Sequence, residues 1–234
     1  MRVAVLLSLF VLMVGCVTTP SETVSEPLGQ AGQKWSVIEE SPQMVTFFWG
    51  TFDALNFTVN EAGERFYLVF GSDKVRLMGG RSGHADLDVT ITQAEVDAVA
   101  QLAADGTLDK RDAFEVMQIL YGPIARAFLT GSFLNNEIIR KMAGVEDLIH
   151  ITFVTPGQLD GASVTLKAEG GQWYVIDGLV GKPKRVFRLN EAETLSYMRR
   201  VHTTRRSSNP KVWFEFVNWY KDWRDRVSFV PAAA

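Results

Sequence analysis

The chain has 234 residues, 47% of them hydrophobic and 22% charged, and its formal net charge at pH 7 is −3. This composition is ordinary for a globular protein and excludes a strongly basic chain, so no nucleic-acid partner is expected. The length allows a sizeable hydrophobic core and favours one domain or two small ones. No internal repeat is visible in the sequence.

Residues 1–15 predict a secretory signal peptide. Arg2 supplies a small positive charge, and an almost unbroken apolar run extends from Val3 to Val14. A membrane-spanning helix needs about 20 apolar residues, so this run is too short to cross a bilayer. A charged start, a short apolar core and small residues at its end are typical of a cleaved leader.

The apolar run ends in Met13-Val14-Gly15-Cys16, which resembles the lipobox of bacterial lipoproteins. The resemblance implies cleavage before Cys16 and attachment of the protein to membrane lipid through acyl chains such as palmitate. An ordinary signal peptide followed by a stray cysteine is the alternative. In enterobacterial lipoproteins an aspartate directly after the lipidated cysteine prevents sorting to the outer membrane. This chain has Val17 at that position, which favours the periplasmic face of the outer membrane. We therefore expect a lipid-anchored protein of the cell envelope.

The segment after Cys16 has the composition of a linker. Residues 17–34 are rich in Thr, Ser, Glu, Pro and Gly and show no hydrophobic periodicity. Such segments behave as flexible coils. The sequence therefore predicts a lipidated cysteine and tether over residues 16–34, followed by a single α+β domain over residues 35–230.

Helix caps and apolar runs predict the elements of this domain. One helix begins at Ser41, with Pro42 in its first turn, and continues to about Leu55. Short apolar or alternating runs predict strands. The predicted strands are Phe66–Phe70, Lys74–Met78, Ala85–Ile91, Leu148–Val154, Ala162–Ala168 and Gln172–Ile176.

Further helices begin at recognisable caps. Thr92 and Glu95 have the spacing of a capping box. Asp112 with Glu115 opens a helix that Gly122-Pro123 is expected to kink or break. The remaining predicted helices are Glu137–Met142, Asn190–Arg200 and a last helix from Pro210. Together the elements predict an α+β fold in which an antiparallel sheet of about five or six strands is covered by helices.

A short motif links one strand to the helix that follows it. Ala85-Asp86 and Val89-Thr90 precede a helix that closes on Leu102, Gly106 and Leu108-Asp109. In this order the chain from about Arg65 to Leu120 resembles the sterol carrier protein 2 (SCP-2) family. The resemblance implies a partly SCP-2-like fold with an apolar tunnel that holds lipids or fatty acyl chains. The family continues with a strand of G-x-L-x-I-x-G-D type, where this chain has a helical pattern.

No catalytic constellation is visible. His84, His150 and His202 are scattered and have no Cys, Asp or Glu at metal-ligand spacing. Asp86 and Asp88 share one strand face, which is more typical of a solvated surface than of paired catalytic carboxylates. We therefore predict no enzyme activity, no cofactor and no metal.

Two predicted helices carry large, adaptable apolar side chains. Such side chains line ligand cavities, which are mostly apolar with few polar groups. The alternative is that they only fill the core. The candidate ligand-binding residues are Phe48, Phe52, Phe114, Met117, Leu120, Ile124 and Phe128.

The C-terminal part is basic and aromatic. Between Lys182 and Arg226 there are twelve Lys or Arg and five Asp or Glu, which suits an anionic surface such as lipid head groups or a solvated basic face. The last helix is aromatic most of the way round, which suits a bilayer interface or a protein partner, with burial inside the domain as an equal alternative. The candidate contact residues are Trp213, Phe216, Trp219, Tyr220, Trp223 and Arg224.

The sequence thus predicts a non-enzymatic envelope lipoprotein that binds a lipid-like ligand and takes part in lipid carriage. The alternative is an interaction or assembly subunit that docks on a protein partner through its aromatic-basic C-terminal helix. A carrier should enclose a continuous apolar cavity. An interaction subunit should instead have a filled core and an exposed aromatic patch.

Overall fold

A computed structural model of the chain describes residues 22–102, 104, 106–130, 135–154 and 162–232. The signal peptide predicted over residues 1–15 and the lipidation site predicted at Cys16 lie outside these described residues. Within them, no helix combines the length and the apolar character that crossing a membrane requires.

The elements confirm the predicted α+β class. The helices are α1 Gln30–Lys34, α2 Val37–Glu40, α3 Pro42–Phe48, α4 Gln93–Leu102, α5 Lys110–Leu129, α6 Glu137–Ala143, α7 Glu191–Arg205 and α8 Pro210–Val227. The strands are β1 Val24–Ser25, β2 Ala54–Val59, β3 Arg65–Phe70, β4 Val75–Arg81, β5 Leu87–Ile91, β6 Leu148–Phe153, β7 Ser163–Glu169, β8 Gln172–Asp177, β9 Arg185–Leu189 and β10 Ser228–Phe229.

The described strands form two five-stranded sheets rather than one. The first sheet has the order β1-β4-β3-β2-β5 and the second has the order β10-β9-β6-β7-β8. The prediction was an antiparallel sheet, but each sheet contains one parallel pair. These pairs are β2 with β5 and β6 with β9. Strand runs in a sequence show which residues can pair but not which strand they pair with, and this is why both differences escaped prediction.

The two sheets are built to the same plan. In each, three antiparallel strands are followed by a fourth that pairs in parallel with the first of them, and two helices complete the unit. We call residues 54–129 the first unit and residues 148–227 the second unit. Leu68 pairs with Leu77, and Leu166 pairs with Val175 at the same place in the other ladder. The fold therefore repeats, although the sequence shows no repeat.

Hydrogen bonds outside the ladders also recur. Asn56 Nδ2 donates to the Ser82 carbonyl at 3.0 Å, and His150 Nε2 lies 3.0 Å from the Val180 carbonyl at the corresponding place. Each final strand leads directly into a capped helix. The correspondence thus extends from strand pairing to single side-chain contacts, and His150 has a structural partner in this arrangement.

The N-caps show the same repetition. Thr92 Oγ1 accepts from the Glu95 amide at 3.2 Å, which confirms the predicted capping box. Asn190 Oδ1 accepts from the Glu193 amide at 2.9 Å and caps α7 in the same way. Because a cap satisfies one of the free N–H groups at a helix start, it fixes where each helix leaves its strand.

The helix predicted from Ser41 to Leu55 ends at Phe48 instead. The Ser41 cap is confirmed, since its hydroxyl accepts from the Met44 amide at 3.4 Å. Gly50 then adopts a positive φ of 75°, which ends the helical path, and β2 begins at Ala54. The apolar residues beyond Gly50 therefore belong to a central strand that the prediction missed.

Helix α5 begins earlier than predicted and is not broken at Gly122-Pro123. Its N-cap is Asp109 and not Asp112, which instead completes the capping box from the third helical position. The helix continues through Gly122 and Pro123, both of them buried, to Leu129. Helix α5 packs against β5 and β8. This packing offsets the hydrogen bond that a proline inside a helix removes.

Residues 22–34 are part of the folded structure. Strand β1 pairs with β4, the side chain of Glu26 forms an ion pair with Arg65, and Ala31 is buried. Both oxygens of Glu64 accept backbone N–H groups at the start of α1, each at 2.9 Å. The folded region therefore begins earlier than the tether composition over residues 16–34 suggests.

One continuous core joins the two units. It extends from Trp35 and Phe57 in the first half to Phe187 and Trp223 in the second. Several C-terminal basic residues form ion pairs with acids from earlier in the chain. The clearest are Arg185 with Glu146 at 2.6 Å, Lys184 with Asp147 at 2.8 Å and Arg206 with Asp53 and Asp86.

Candidate functional site

A cavity of about 280 Å³ lies between the inner face of the second sheet and helices α5, α7 and α8. The sheet contributes Ile149, Ile151 and Phe187 to its wall, and Phe52 and Leu87 from the first unit close one side. Nearly all the lining side chains are apolar. This chemistry is typical of sites that hold hydrophobic ligands.

Helices α7 and α8 present matching stripes of side chains to the cavity. The stripe of α7 is Thr194, Tyr197, Met198 and Val201. Residues at this spacing lie on one face of a helix, because each turn contains 3.6 residues. The stripe of α8 has the same spacing and consists of Trp213, Phe216, Val217 and Tyr220.

Four of the seven residues predicted to bind ligand line the cavity. They are Phe52, Met117, Ile124 and Phe128. The other three are Phe48, Phe114 and Leu120, which lie in the packed core. Phe48 stacks on Phe70 with ring centroids 5.1 Å apart, and Phe114 stacks on Phe47 at 6.0 Å.

Four of the six contact residues predicted on the last helix line the same cavity. They are Trp213, Phe216, Tyr220 and Trp223. Of the other two, Trp219 stacks on Trp223 at 5.8 Å and lies under Arg200, whose Cζ is 5.9 Å from the ring centroid. Arg224 Nη1 donates to the Gly144 carbonyl at 3.3 Å. Residues that the sequence assigned to two separate sites therefore line one cavity.

Trp223 lies at the centre of the aromatic side chains of α7 and α8, which we call the aromatic wall of the cavity. It is 3% exposed, and its ring stacks on Tyr197 at a centroid distance of 4.7 Å. Its indole N–H donates to Glu193 Oε2 at 3.0 Å, and Arg226 Nη2 lies 3.1 Å from the same oxygen. Since Glu193 lies in the first turn of α7, this contact ties the two helices together beside the cavity.

Three tyrosines from three helices line the cavity: Tyr121, Tyr197 and Tyr220. Burial raises the pKa of all three phenols, to about 12 for Tyr197, and their mutual interaction raises the pKa of Tyr121 and Tyr220 further. All three therefore remain protonated and neutral at physiological pH. Sequence reasoning missed Tyr121 and Tyr197, although the spacing of Thr194, Tyr197 and Val201 was a usable signal.

The lining of the cavity extends to the surface on α5 and on α8. Phe128 and Val217 line it and are also 37% and 41% exposed, so they form its rim. Lys221 lines it as well and is exposed. The opening thus combines apolar side chains with one positive charge, while the interior is apolar and aromatic.

The corresponding space in the first unit is filled. Trp35, from the turn after α1, is fully buried there, and its ring centroid lies 5.3 Å from that of Phe57 and 5.1 Å from that of Phe66. Its indole N–H donates to the Val96 carbonyl at 3.1 Å. Val96 and Val99 of α4 stand where α7 has Thr194 and Tyr197. In the first unit Trp35 therefore occupies the place that corresponds to the cavity of the second unit.

Among the described residues, no cluster of His, Cys, Asp or Glu is arranged to hold a metal ion. His202 lines the cavity, and its Nε2 lies 3.9 Å from Asp53 Oδ1. Asp53 also forms an ion pair with Arg206, which pairs in turn with Asp86 of the first unit. What the arrangement can do is enclose an apolar molecule and offer it hydroxyl groups.

No family model matches the chain, and no curated protein matches it. Among solved structures, it is similar to one described as "UbiJ-SCP2 Ubiquinone synthesis protein", with a TM-score of 0.26 and 21% sequence identity. The similarity covers 42% of this chain and 90% of that protein.

Proposed function

We propose that this protein binds a lipid-like ligand in the cavity of the second unit and carries or presents it in the cell envelope. The observation that carries the proposal is the cavity itself, which is lined by apolar side chains on three helices and a sheet and is open at a rim of exposed apolar residues. Its volume of about 280 Å³ lies just below the usual range for ligand sites, roughly 300–1,000 Å³, which suits a small or slender ligand.

Apolar burial supplies the driving force for such binding. Each methylene group transferred from water to an apolar site contributes about 0.8 kcal/mol. An alkyl chain of moderate length therefore gains enough free energy in this cavity to offset the cost of immobilising it. The rigid aromatic wall around Trp223 reduces that cost further, because little of the protein has to be ordered on binding.

The aromatic face of α8 supports the carrier over the interaction subunit. Trp213, Phe216, Tyr220 and Trp223 line the cavity, so this face is already used inside the protein. Phe214 and Val217 are the large apolar side chains of α8 that are exposed, at 48% and 41%. These two, one of them on the cavity rim, give a small surface compared with a typical protein interface.

Anchoring completes the proposal. Cys16 carries acyl chains that hold the protein at the periplasmic face of the outer membrane, so that the cavity works next to a lipid store. The role is binding and not catalysis. A carrier needs a site that exchanges its ligand, and the open rim between Phe128 and Val217 provides a route for entry and exit.

Native mass spectrometry tests this function. A soluble form that begins at Val17 is purified from a Gram-negative host, and its mass is compared before and after extraction with organic solvent. We expect a bound lipid in stoichiometric amount, which the extract then identifies. A mass without ligand that stays unchanged after incubation with envelope lipids would contradict the proposal.

A further inference from the structure

Three tyrosines line the largely apolar cavity. Tyr121 reaches it from α5, Tyr197 from α7 and Tyr220 from α8, and the rings of Tyr197 and Tyr220 lie 6.5 Å apart. Among the described residues, none of the three hydroxyls has a hydrogen-bond partner. Three elements far apart in the chain thus bring unpartnered donors to one place.

The three tyrosines border the cavity, and their oxygens are not among the fully buried unpartnered atoms of the described residues. A hydroxyl that loses water without gaining an acceptor is unfavourable, and phenylalanine would fill nearly the same volume without that cost. Because three hydroxyls border one space, a ligand that brings an acceptor into that space would satisfy them.

The hydroxyls act as neutral donors. Desolvation raises the pKa of each phenol, so none of them ionises near pH 7. A neutral phenol in an apolar site donates well to a carbonyl or ether oxygen. Removal from water also makes each such hydrogen bond electrostatically stronger than it would be at the surface.

Among the described residues, the cations near the tyrosines are either exposed or already paired. Lys221 is the cation that lines the cavity, and it is exposed. Arg185 and Arg224 lie close enough to act on the pKa of Tyr220, and they form ion pairs with Glu146 and Asp225. An ionised carboxylate brought to the tyrosines would lose its hydration without gaining an unpaired counter-charge, which is unfavourable. A neutral acceptor has no such penalty.

We propose that the cavity selects uncharged lipids that carry a hydrogen-bond acceptor within the chain, such as the carbonyl of an ester or a ketone, and that Tyr121, Tyr197 and Tyr220 hold this group. The inference rests on the proposed function, since it specifies which lipid-like ligands the same cavity takes. It distinguishes them from pure hydrocarbons, which leave the hydroxyls unpaired, and from fatty acids, which place a charge among them.

Three probes of equal chain length test the selection. Methyl decanoate, decane and decanoate are delivered from cyclodextrin to the full chain, and binding is followed by the fluorescence of the cavity tryptophans Trp173, Trp213 and Trp223. We expect methyl decanoate to bind about 10-fold more tightly than decane or decanoate, which corresponds to about 1.4 kcal/mol. Equal binding of the ester and decane, or tighter binding of decanoate, would overturn the inference.

Removing only the hydroxyls gives an independent test. The Y121F/Y197F/Y220F variant should bind decane as before and lose its preference for the ester. Tyr174→Phe, on the exposed outer face of β8, is the matched control and should change nothing. If the triple variant fails to fold, each single Tyr→Phe variant is measured instead, and an unchanged preference in all three overturns the inference. If no probe binds at all, the proposed function fails together with it.

Discussion

Phe57 and Ile151 occupy the same position in the two sheets. Phe57 pairs with Phe66 on one side and lies beside Val89 on the other, while Ile151 pairs with Val164 and lies beside Phe187. The ring of Phe57 contacts Trp35 in a filled interior, whereas Ile151 faces the cavity. A difference in side-chain volume at matched positions therefore helps to decide which unit can hold a ligand.

Placing the larger side chain in the second unit should close the site. In Ile151→Phe the added ring enters the cavity, so we expect binding of methyl decanoate to weaken at least ~10-fold, measured by tryptophan fluorescence. The melting temperature should stay unchanged or rise, since empty space is filled rather than overpacked. Thr152→Phe, next along the strand and on the opposite face, is the control and should keep full binding. Normal binding by Ile151→Phe would refute the assignment of the site.

Removing the large side chain that fills the first unit should destabilise the protein. Trp35 is fully buried and fills the space that corresponds to the cavity. Trp35→Ala should lower the free energy of unfolding by about 3–5 kcal/mol, measured by denaturant titration. Trp49→Ala, at a position 51% exposed, should cost about 1 kcal/mol or less. A similar loss in both variants would mean that Trp35 does not hold the first core together.

The buried phenols predict a loss of stability in alkali. The pKa of Tyr197 is raised by burial from 10.0 to about 12, so the folded state keeps a proton there that the unfolded state releases. Its contribution is fully present below pH 10 and is lost as the pH rises towards 12. Tyr197→Phe should reduce this loss by on the order of 2–3 kcal/mol across that window, while Tyr121 and Tyr220, whose pKa is also raised, continue to contribute. Matching unfolding curves for the two proteins between pH 10 and 12 would contradict the burial of this phenol.

Anchoring is tested separately from binding. The full chain expressed in a Gram-negative host should incorporate labelled palmitate and fractionate with membranes. Cys16→Ser should lose both properties, because no thiol is left to acylate. A labelled Cys16→Ser protein, or a wild-type protein that stays in the soluble fraction, would contradict the lipobox interpretation and leave the cavity assignment intact.

Local signals in the sequence predicted much of the fold. The caps at Ser41, Thr92 and Asn190 begin helices as expected, because a cap depends on residues within one turn. Strand β2 was missed, because its apolar residues follow a helix with only Gly50 to mark the change. The number of sheets and the parallel pairs depend on contacts distant in the chain, which periodicity does not record.

The repeat and the cavity were hidden for a related reason. The two units share strand order and register, but matched positions carry different residues, as with Val99 and Tyr197 on the equivalent helices. Sequence reasoning named several cavity residues and divided them between two sites. Only the folded chain brings Phe128 of α5 and Val217 of α8 to one rim.

Photolabelling tests most directly whether a lipid lies in the second unit. A long-chain ester with a diazirine on its alkyl chain is bound to the full chain and irradiated, and the labelled peptides are identified by mass spectrometry. We expect labels on α7 and α8 around Met198 and Val217, and their loss in Ile151→Phe. Labels confined to the first unit around Trp35, or scattered over the surface and unchanged in the variant, would contradict the proposed lipid site.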